Sequence, residues 1–218
     1  MKDEIINQRQ VYENQYILRS LEELEELYGE PHERSVLKVN DFLDKNSRAF
    51  IEAAPFAILA TSNGASNLDC SPRGDRAGFV RAVDEKTLLL PDRRGNNRTD
   101  SLKNIIENPQ IALLFFVPNV SETFRVNGTA QISVAPDLLK QFAVEGNPPK
   151  TVLIVTVREA SVHCSRALVR SRLWSPEKHF TAANVPSMGT ILAAHTGGKI
   201  NAEEYDAQLK DVIPQTLY

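Results

Sequence analysis

The 218-residue sequence predicts a mainly β fold, a small closed antiparallel barrel with helical additions at both termini. Three observations carry this. Six or more short apolar or alternating runs lie between Phe56 and Val157. Turn-forming residues separate neighbouring runs in hairpin order, which disfavours a parallel doubly wound sheet. Apolar residues at three- and four-residue spacing mark helices before, between and after those runs. At 42% hydrophobic residues the chain can close one sizeable core, so a single domain is expected. Within it, residues 1–49 form a helical segment packing on the barrel, 50–174 the barrel core and 175–218 a helical extension.

Leu18, Leu21 and Leu24 predict a helix over Ile17–Tyr28, and Val36, Val39 and Leu43 a second over Val36–Asp44, with Gly29 and Pro31 between them. Phe50–Ala54 adds a helical turn before Pro55. Phe56–Thr61 is a compact apolar strand running into Asn63-Gly64, a pair that favours positive φ angles, and Asn67–Ser71 returns as its partner. Phe79–Val83 and Thr87–Leu90 flank Asp84-Glu85-Lys86 as a second hairpin. Asn97–Glu107 carries Leu102, Ile105 and Ile106 on one face, offers Thr99 or Asp100 as a cap, and stops at Asn108-Pro109. Ile111–Val117 is a continuous apolar strand, and Thr123–Val134 alternates around Gly128, where a barrel strand can bend. A helix over Pro136–Val144, a strand over Val152–Val157, and helices over Ser187–His195 and Ala202–Val212 complete the pattern.

A net charge of −3 excludes a broad polyanion-binding face, so nucleic acid is not an expected partner and any anion site is local. The N-terminal residues contain no secretory core, and no apolar run approaches the ~20 residues of a membrane span. A cytoplasmic protein that does not enter the membrane is expected. Cys70 and Cys164 are too few for a disulfide framework and read as reduced thiols. The four histidines are dispersed without ligand spacing, so no metal centre is expected. Gly-x-Gly-x-x-Gly, P-loop and Gly-x-Ser-x-Gly patterns are absent, which removes the usual dinucleotide-fold, NTPase and hydrolase readings.

Three segments can carry chemistry. Leu88–Lys103 runs from a buried strand through a polar turn into a helix, with four basic residues against two acidic ones. Gly95, Asn96 and Asn97 tolerate unusual backbone angles, and guanidinium groups beside helix N-terminal amides are what a phosphate dianion requires. A solvated turn with arginines paired to nearby carboxylates is the alternative. In Asn67–Arg76 a strand ends in alternating acids and bases, able to present amides, Ser71 and Arg73 to a polar ring, or simply to form a salt-bridged loop. In Val162–Trp174, Arg166 and Arg170 share a face if the segment is helical and can grip a phosphate or a partner's carboxylate; plain surface basicity is the other reading.

The ordered set of Ser71-Pro72-Arg73-Gly74-Asp75, Leu88-Leu89-Leu90-Pro91-Asp92, Asn97-Arg98, Leu102, Asn108-Pro109 and Arg125-Val126-Asn127-Gly128-Thr129-Ala130 resembles the pyridoxamine-5′-phosphate-oxidase-like flavoproteins over Phe50–Trp174. His163-Cys164-Ser165-Arg166-Ala167 and Arg172-Leu173-Trp174 are similar to an uncharacterised FMN-dependent branch of that family. The resemblance implies a six-stranded antiparallel split β-barrel that forms a homodimer, with flavin mononucleotide (FMN) in a groove built by both subunits. Carried over by position, Asp69, Ser71 and Arg73 line the ring end, and Leu90, Pro91 and Asp92 flank the ring and ribityl chain. Asn97 and Arg98 match the phosphate grip. Thr99 stands where relatives often have lysine, and Arg93 or Arg94 replaces it. Trp174 with Arg170 or Arg172 closes the site, from the same subunit or from the second. True pyridoxamine phosphate oxidases end in a strand with an Arg-Leu-His-Asp-Arg run, whereas Ser175–Tyr218 reads as helices, so their substrate is not inherited.

The implied activity is a flavin-dependent oxidoreductase acting on a small substrate, with Arg73 stabilising the reduced ring and no side chain assigned as acid or base. Three rivals stand beside it: a deazaflavin-binding reductase, a non-catalytic flavin carrier or sensor, and a partner-binding barrel that uses Arg166–Arg172.

Overall fold

A computed structural model of the chain describes residues 16–178 and 184–218, which divide after Lys38 into two compact units. In the first unit, α1 (Leu21–Tyr28) begins with a capping box. The Ser20 hydroxyl accepts from the Glu23 amide at 3.1 Å, while Glu23 accepts from the Ser20 amide. A short α2 (Glu33–Leu37) follows, and neither helix buries a residue.

The second unit starts with a departure from expectation. Of the helix expected over Val36–Asp44, only Val36 and Leu37 are helical, as the end of α2; beyond them Asn40 instead forms a reciprocal backbone bridge with Ala160. The Asp44 carboxylate then caps a new helix, α3 (Lys45–Ala53), by accepting from the Ser47 amide at 2.7 Å. Seven strands follow: β1 (Phe56–Ser62), β2 (Leu68–Gly74), β3 (Arg81–Ala82), β4 (Thr87–Asp92), β5 (Gln110–Phe116), β6 (Thr123–Ser133) and β7 (Thr151–His163). All pairings are antiparallel, in the order β2-β1-β5-β6-β7-β4-β3. The six-stranded expectation becomes seven through the two-residue β3, to which the expected Phe79–Val83 strand contracts. Its Phe79 and Val80 are nonetheless buried.

Alternation sets the core. Ala57 and Leu59 of β1, Leu88 and Leu90 of β4, Leu113 and Phe115 of β5, and Val126 of β6 point to one side and pack together, joined by Leu43, Ile51 of α3 and Ile105 of α4 (Asp100–Glu107). Leu89 points the opposite way, onto Leu138 and Leu139 of α5 (Pro136–Gln141) and onto Phe142. Burial on both faces is why β4 reads as an unbroken apolar run.

Gly128 marks the expected bend: the β6–β7 register shifts at Asn127/Gly128, and a Cβ there would sit 2.1 Å from the Thr156 carbonyl oxygen. The Asn63-Gly64 turn works differently from its sequence signal. The Asn63 side chain accepts from the amides of Ala65 and Asn67, and the positive φ falls on Ser66. Beyond β7, α6 (Arg166–Ser171) is helical, so Arg166 and Arg170 lie one turn apart. The expected terminal helices are α7 (Met188–His195) and α8 (Ala202–Gln215), and they pack on each other where Gly189 meets Ala202 and Asp206. No described helix is long and apolar enough to cross a membrane.

Candidate functional site

The sheet is open between β2 and the β4–β3 edge, and a cavity of about 1130 Å³ lies there. Strand β2 supplies one wall through period-two alternation. Asp69, Ser71 and Arg73 are half-buried, while Leu68, Cys70, Pro72 and Gly74 between them are exposed. They stand opposite Thr61, Leu59 and Ala57, the buried set of β1, so the face that is apolar in β1 turns polar in β2, where the cavity begins. Pro72 has no amide hydrogen to give, and β2 is an edge strand, where that omission is tolerated.

Asp69 organises this wall. Its Oδ2 accepts from the Ser71 hydroxyl at 2.9 Å and from the buried Ser101 hydroxyl at 2.7 Å, which ties β2 to the first turn of α4. The opposite wall is the end of β4, with Pro91, Asp92 and Arg93, together with Pro148, Pro149, Lys150 and Thr151 leading into β7. Asp92 pairs in register with Thr151. Burial raises the Asp92 carboxyl above its ordinary value, opposed by the positive charges of Arg73 and Lys150. The Thr151 hydroxyl oxygen is buried and finds no hydrogen-bond partner among the described residues.

Between the walls runs the polar turn from Arg93 to Thr99. Asn97 and Thr99 both have positive φ, 59° and 58°. Neither Thr99 nor Asp100 caps α4 as expected: Thr99 is left-handed and makes no side-chain cap bond, while the Asp100 carboxylate pairs with Arg98 and Lys103. The helix therefore opens on the cavity with its first amides uncapped by any described side chain, a partial positive charge.

Arg93 is committed. Its Nε donates to Asp75 at 2.6 Å and its Nη1 to the Phe142 carbonyl at 2.6 Å. Asp75, only 3% exposed at its side chain, also accepts from the Arg76 amide and from the Tyr218 hydroxyl at 2.8 Å. Desolvation pushes this carboxyl up, but the Tyr218 hydroxyl, the Arg76 amide and Arg93 together outweigh it and hold it below its ordinary value. The same contact to Asp75 raises the Tyr218 phenol.

Of the residues singled out in the sequence, Asp69, Ser71, Arg73, Pro91, Asp92, Arg93, Asn97 and Arg98 line this one cavity. Leu90 lies outside the lining: at 1% exposure its side chain is inside the barrel, as its alternation with Leu88 requires. Arg170 and Trp174 also lie outside it. Arg170 is exposed on α6, and the Trp174 indole donates to the Val120 carbonyl at 2.8 Å. Sequence reasoning missed Ser101, Lys150, Thr151 and Tyr218. Ser101 stands in the first turn of the expected helix, but nothing in the local sequence marks the other three. No cluster of metal-ligating residues occurs among the described residues.

Comparison with known proteins agrees with this arrangement at the level of family. No curated protein matches the chain. Among solved structures it is similar to HupZ from Group A Streptococcus, at 22% identity over 53% of this chain and 89% of that one, TM-score 0.43. It is similar to an FMN-binding protein from Syntrophomonas wolfei, at 12% identity over 66% and 97%, TM-score 0.43. It is also similar to an F420 reductase, at 16% identity over 56% and 98%, TM-score 0.40. The family model described as pyridoxamine 5'-phosphate oxidase matches residues 43–164, from the residue before the cap of α3 to the end of β7. That match spans more than half of the chain and contains both principal walls of the cavity, and on it the chain belongs to the pyridoxamine 5'-phosphate oxidase family.

Proposed function

We propose that this protein is a flavoprotein that holds FMN in the cavity between β2 and β4 and serves as a flavin-dependent oxidoreductase on a small substrate. The observation that carries the reading is the turn from Arg93 to Thr99. Two left-handed residues and the uncapped start of α4 stand beside Arg98 at the rim of a cavity of about 1130 Å³, a donor set suited to a phosphate dianion. The donors elsewhere in the cavity suit the rest of the molecule. The unpartnered Thr151 hydroxyl and the Asp69–Ser71 pair offer hydrogen bonds, while Phe79 and Pro91 offer apolar surface for a ring.

When bound, the flavin supplies the hydride chemistry. The chain's own part is to orient and to stabilise charge: Arg98 and the α4 amides at the phosphate end, Arg73 at the end where negative charge develops. The homodimer belongs to the same proposal. The face of β1, β5 and β6 that points away from the core carries Ile58, Leu114 and Phe116, all half-exposed, beside Arg125 and Asn127, a surface suited to a second copy whose apposition would complete the groove. Arg170 and Trp174 would then reach the cofactor from the partner.

The test is an absorbance spectrum of the freshly purified protein with mass spectrometry of what heat releases. The expected result is a yellow protein releasing FMN, and an Arg98→Ala variant that binds it more weakly by about 1.5 to 3 kcal/mol, roughly 10- to 150-fold. A colourless protein that fails to take up added FMN overturns the reading. Release of a deazaflavin instead would assign the rival cofactor.

A further inference from the structure

One cluster of charged side chains in the cavity makes no ion pair among the described residues. Arg73 comes from the end of β2, Asp92 from the last position of β4 and Lys150 from the residue before β7. All three line the cavity. They are close enough for both cations to act electrostatically on the Asp92 carboxyl. Yet none of the three takes part in an ion pair within 4.0 Å among the described residues. Among the described residues, the one hydrogen bond these side chains make is from Arg73 to the carbonyl of its own neighbour Pro72, at 2.9 Å.

The contrast lies a few residues away. Arg93 and Asp75, at the same end of the same two strands, are fully engaged with each other and with three further groups. Two cations and a half-buried carboxyl that face one cavity and do not collapse onto each other form a site with open valences: donors from Arg73 and Lys150, and acceptors from Asp92. The charge sum of two positives against one negative is balanced by a monoanion. The planar guanidinium suits a carboxylate bidentately, and lysine adds a point charge. The acceptor oxygens of Asp92 repel a second oxyanion but accept from a hydroxyl beside the first.

We propose that Arg73, Asp92 and Lys150 form the substrate position of the cavity, and that the substrate is a small oxyanion with a hydrogen-bond donor on the adjacent carbon, of the α-hydroxy-acid type. This rests on the flavin reading for its role in turnover, but not for binding itself. Arg73, shared by the ring end and this cluster, joins the two. The cluster differs in its side chains from the phosphate end, where Arg98 and the start of α4 act.

The experiment titrates three probes, glycolate, acetate and glycolamide, into the isotopically labelled full-length protein, following the Lys150 and Asp92 resonances, with flavin content measured separately on each sample. Glycolate is expected to shift both saturably, acetate to bind several-fold more weakly, and neutral glycolamide to give no saturable shift. Lys150→Ala, a change at an exposed side chain, is expected to weaken both acids about tenfold. Asp92→Ala, with Asp92→Asn as the better-folded companion, is expected to strengthen acetate, and the alanine to abolish the preference for glycolate. Glycolamide binding as well as glycolate, titrations unchanged by Lys150→Ala, or a glycolate preference that survives Asp92→Ala would each overturn the proposal. Saturable glycolate binding by a protein that takes up no flavin would leave this site standing and remove the cofactor reading. A yellow protein blind to all three probes would do the reverse.

Discussion

Tyr218 and Asp75 are 143 positions apart in the chain, and the phenol of one donates to the carboxylate of the other at 2.8 Å. Arg93 completes the contact from below, its guanidinium bonded to Asp75 and 5.6 Å from the centre of the Tyr218 ring. Three distant stretches of sequence thus converge where β2 and β4 end.

Removing the carboxylate should be costly, since among the described residues it leaves the largely buried Arg93 the Phe142 carbonyl as its one hydrogen-bond acceptor. Asp75→Ala is expected to destabilise the fold by ~3 kcal/mol, and Tyr218→Phe, at a partly exposed hydroxyl, by about 1 kcal/mol. Urea unfolding of the two variants against the parent checks both, and equal midpoints for all three would refute the coupling.

The same carboxylate gives a pH signature. Its folded value is depressed, so the stability it contributes is complete above its ordinary value of 3.8 and is lost as pH falls through the lower folded value. The parent should therefore lose more stability than Asp75→Asn between about pH 5 and pH 2, with the two curves parallel at neutral pH. Urea midpoints across that range decide it.

Arg98 is held by Asp100 through a highly exposed pair, worth little to the fold. That pairing competes with any phosphate at the start of α4. Asp100→Asn is expected to tighten FMN several-fold while costing the helix a few tenths of a kcal/mol at its N-terminus. Flavin fluorescence titration measures the first and thermal unfolding the second. Weaker binding in the variant would mean that Asp100 positions Arg98 instead of restraining it.

Gly128→Ala puts a methyl group 2.1 Å from the Thr156 carbonyl oxygen at the register shift of the longest strand pair. A loss of about 1 to 3 kcal/mol or outright misfolding is expected, whereas Gly95→Ala, with nothing within 4 Å, should leave stability unchanged. Circular dichroism melts of the two variants make the comparison.

Much of this site could be read from the chain because its signals are local. The alternation of Asp69, Ser71 and Arg73 and the cluster from Pro91 to Arg98 stand in the sequence as they stand in the cavity. The failures have local causes too. Val36, Val39 and Leu43 carry a helical spacing that a single backbone bridge from Asn40 to Ala160 overrides. Leu90, placed beside the ring by the family resemblance alone, follows strand periodicity instead, which sends successive side chains to opposite faces and turns this one into the barrel. Lys150 and Tyr218 reach the cavity through long-range pairing, β7 against β4 and Tyr218 against Asp75, and no pattern within one segment encodes that.

The gap between edge strand β2 and the end of β4 is spanned by a side-chain pair, Asp75 to Arg93, and β2 is tied to α4 by another, Asp69 to Ser101, with no backbone ladder across it. Such a seam can breathe without unzipping the strands beside it. Whatever fills the gap then acts as a stitch, and its arrival should slow amide hydrogen exchange along both margins at once while leaving the centre of the sheet, around β5 and β6, as it was.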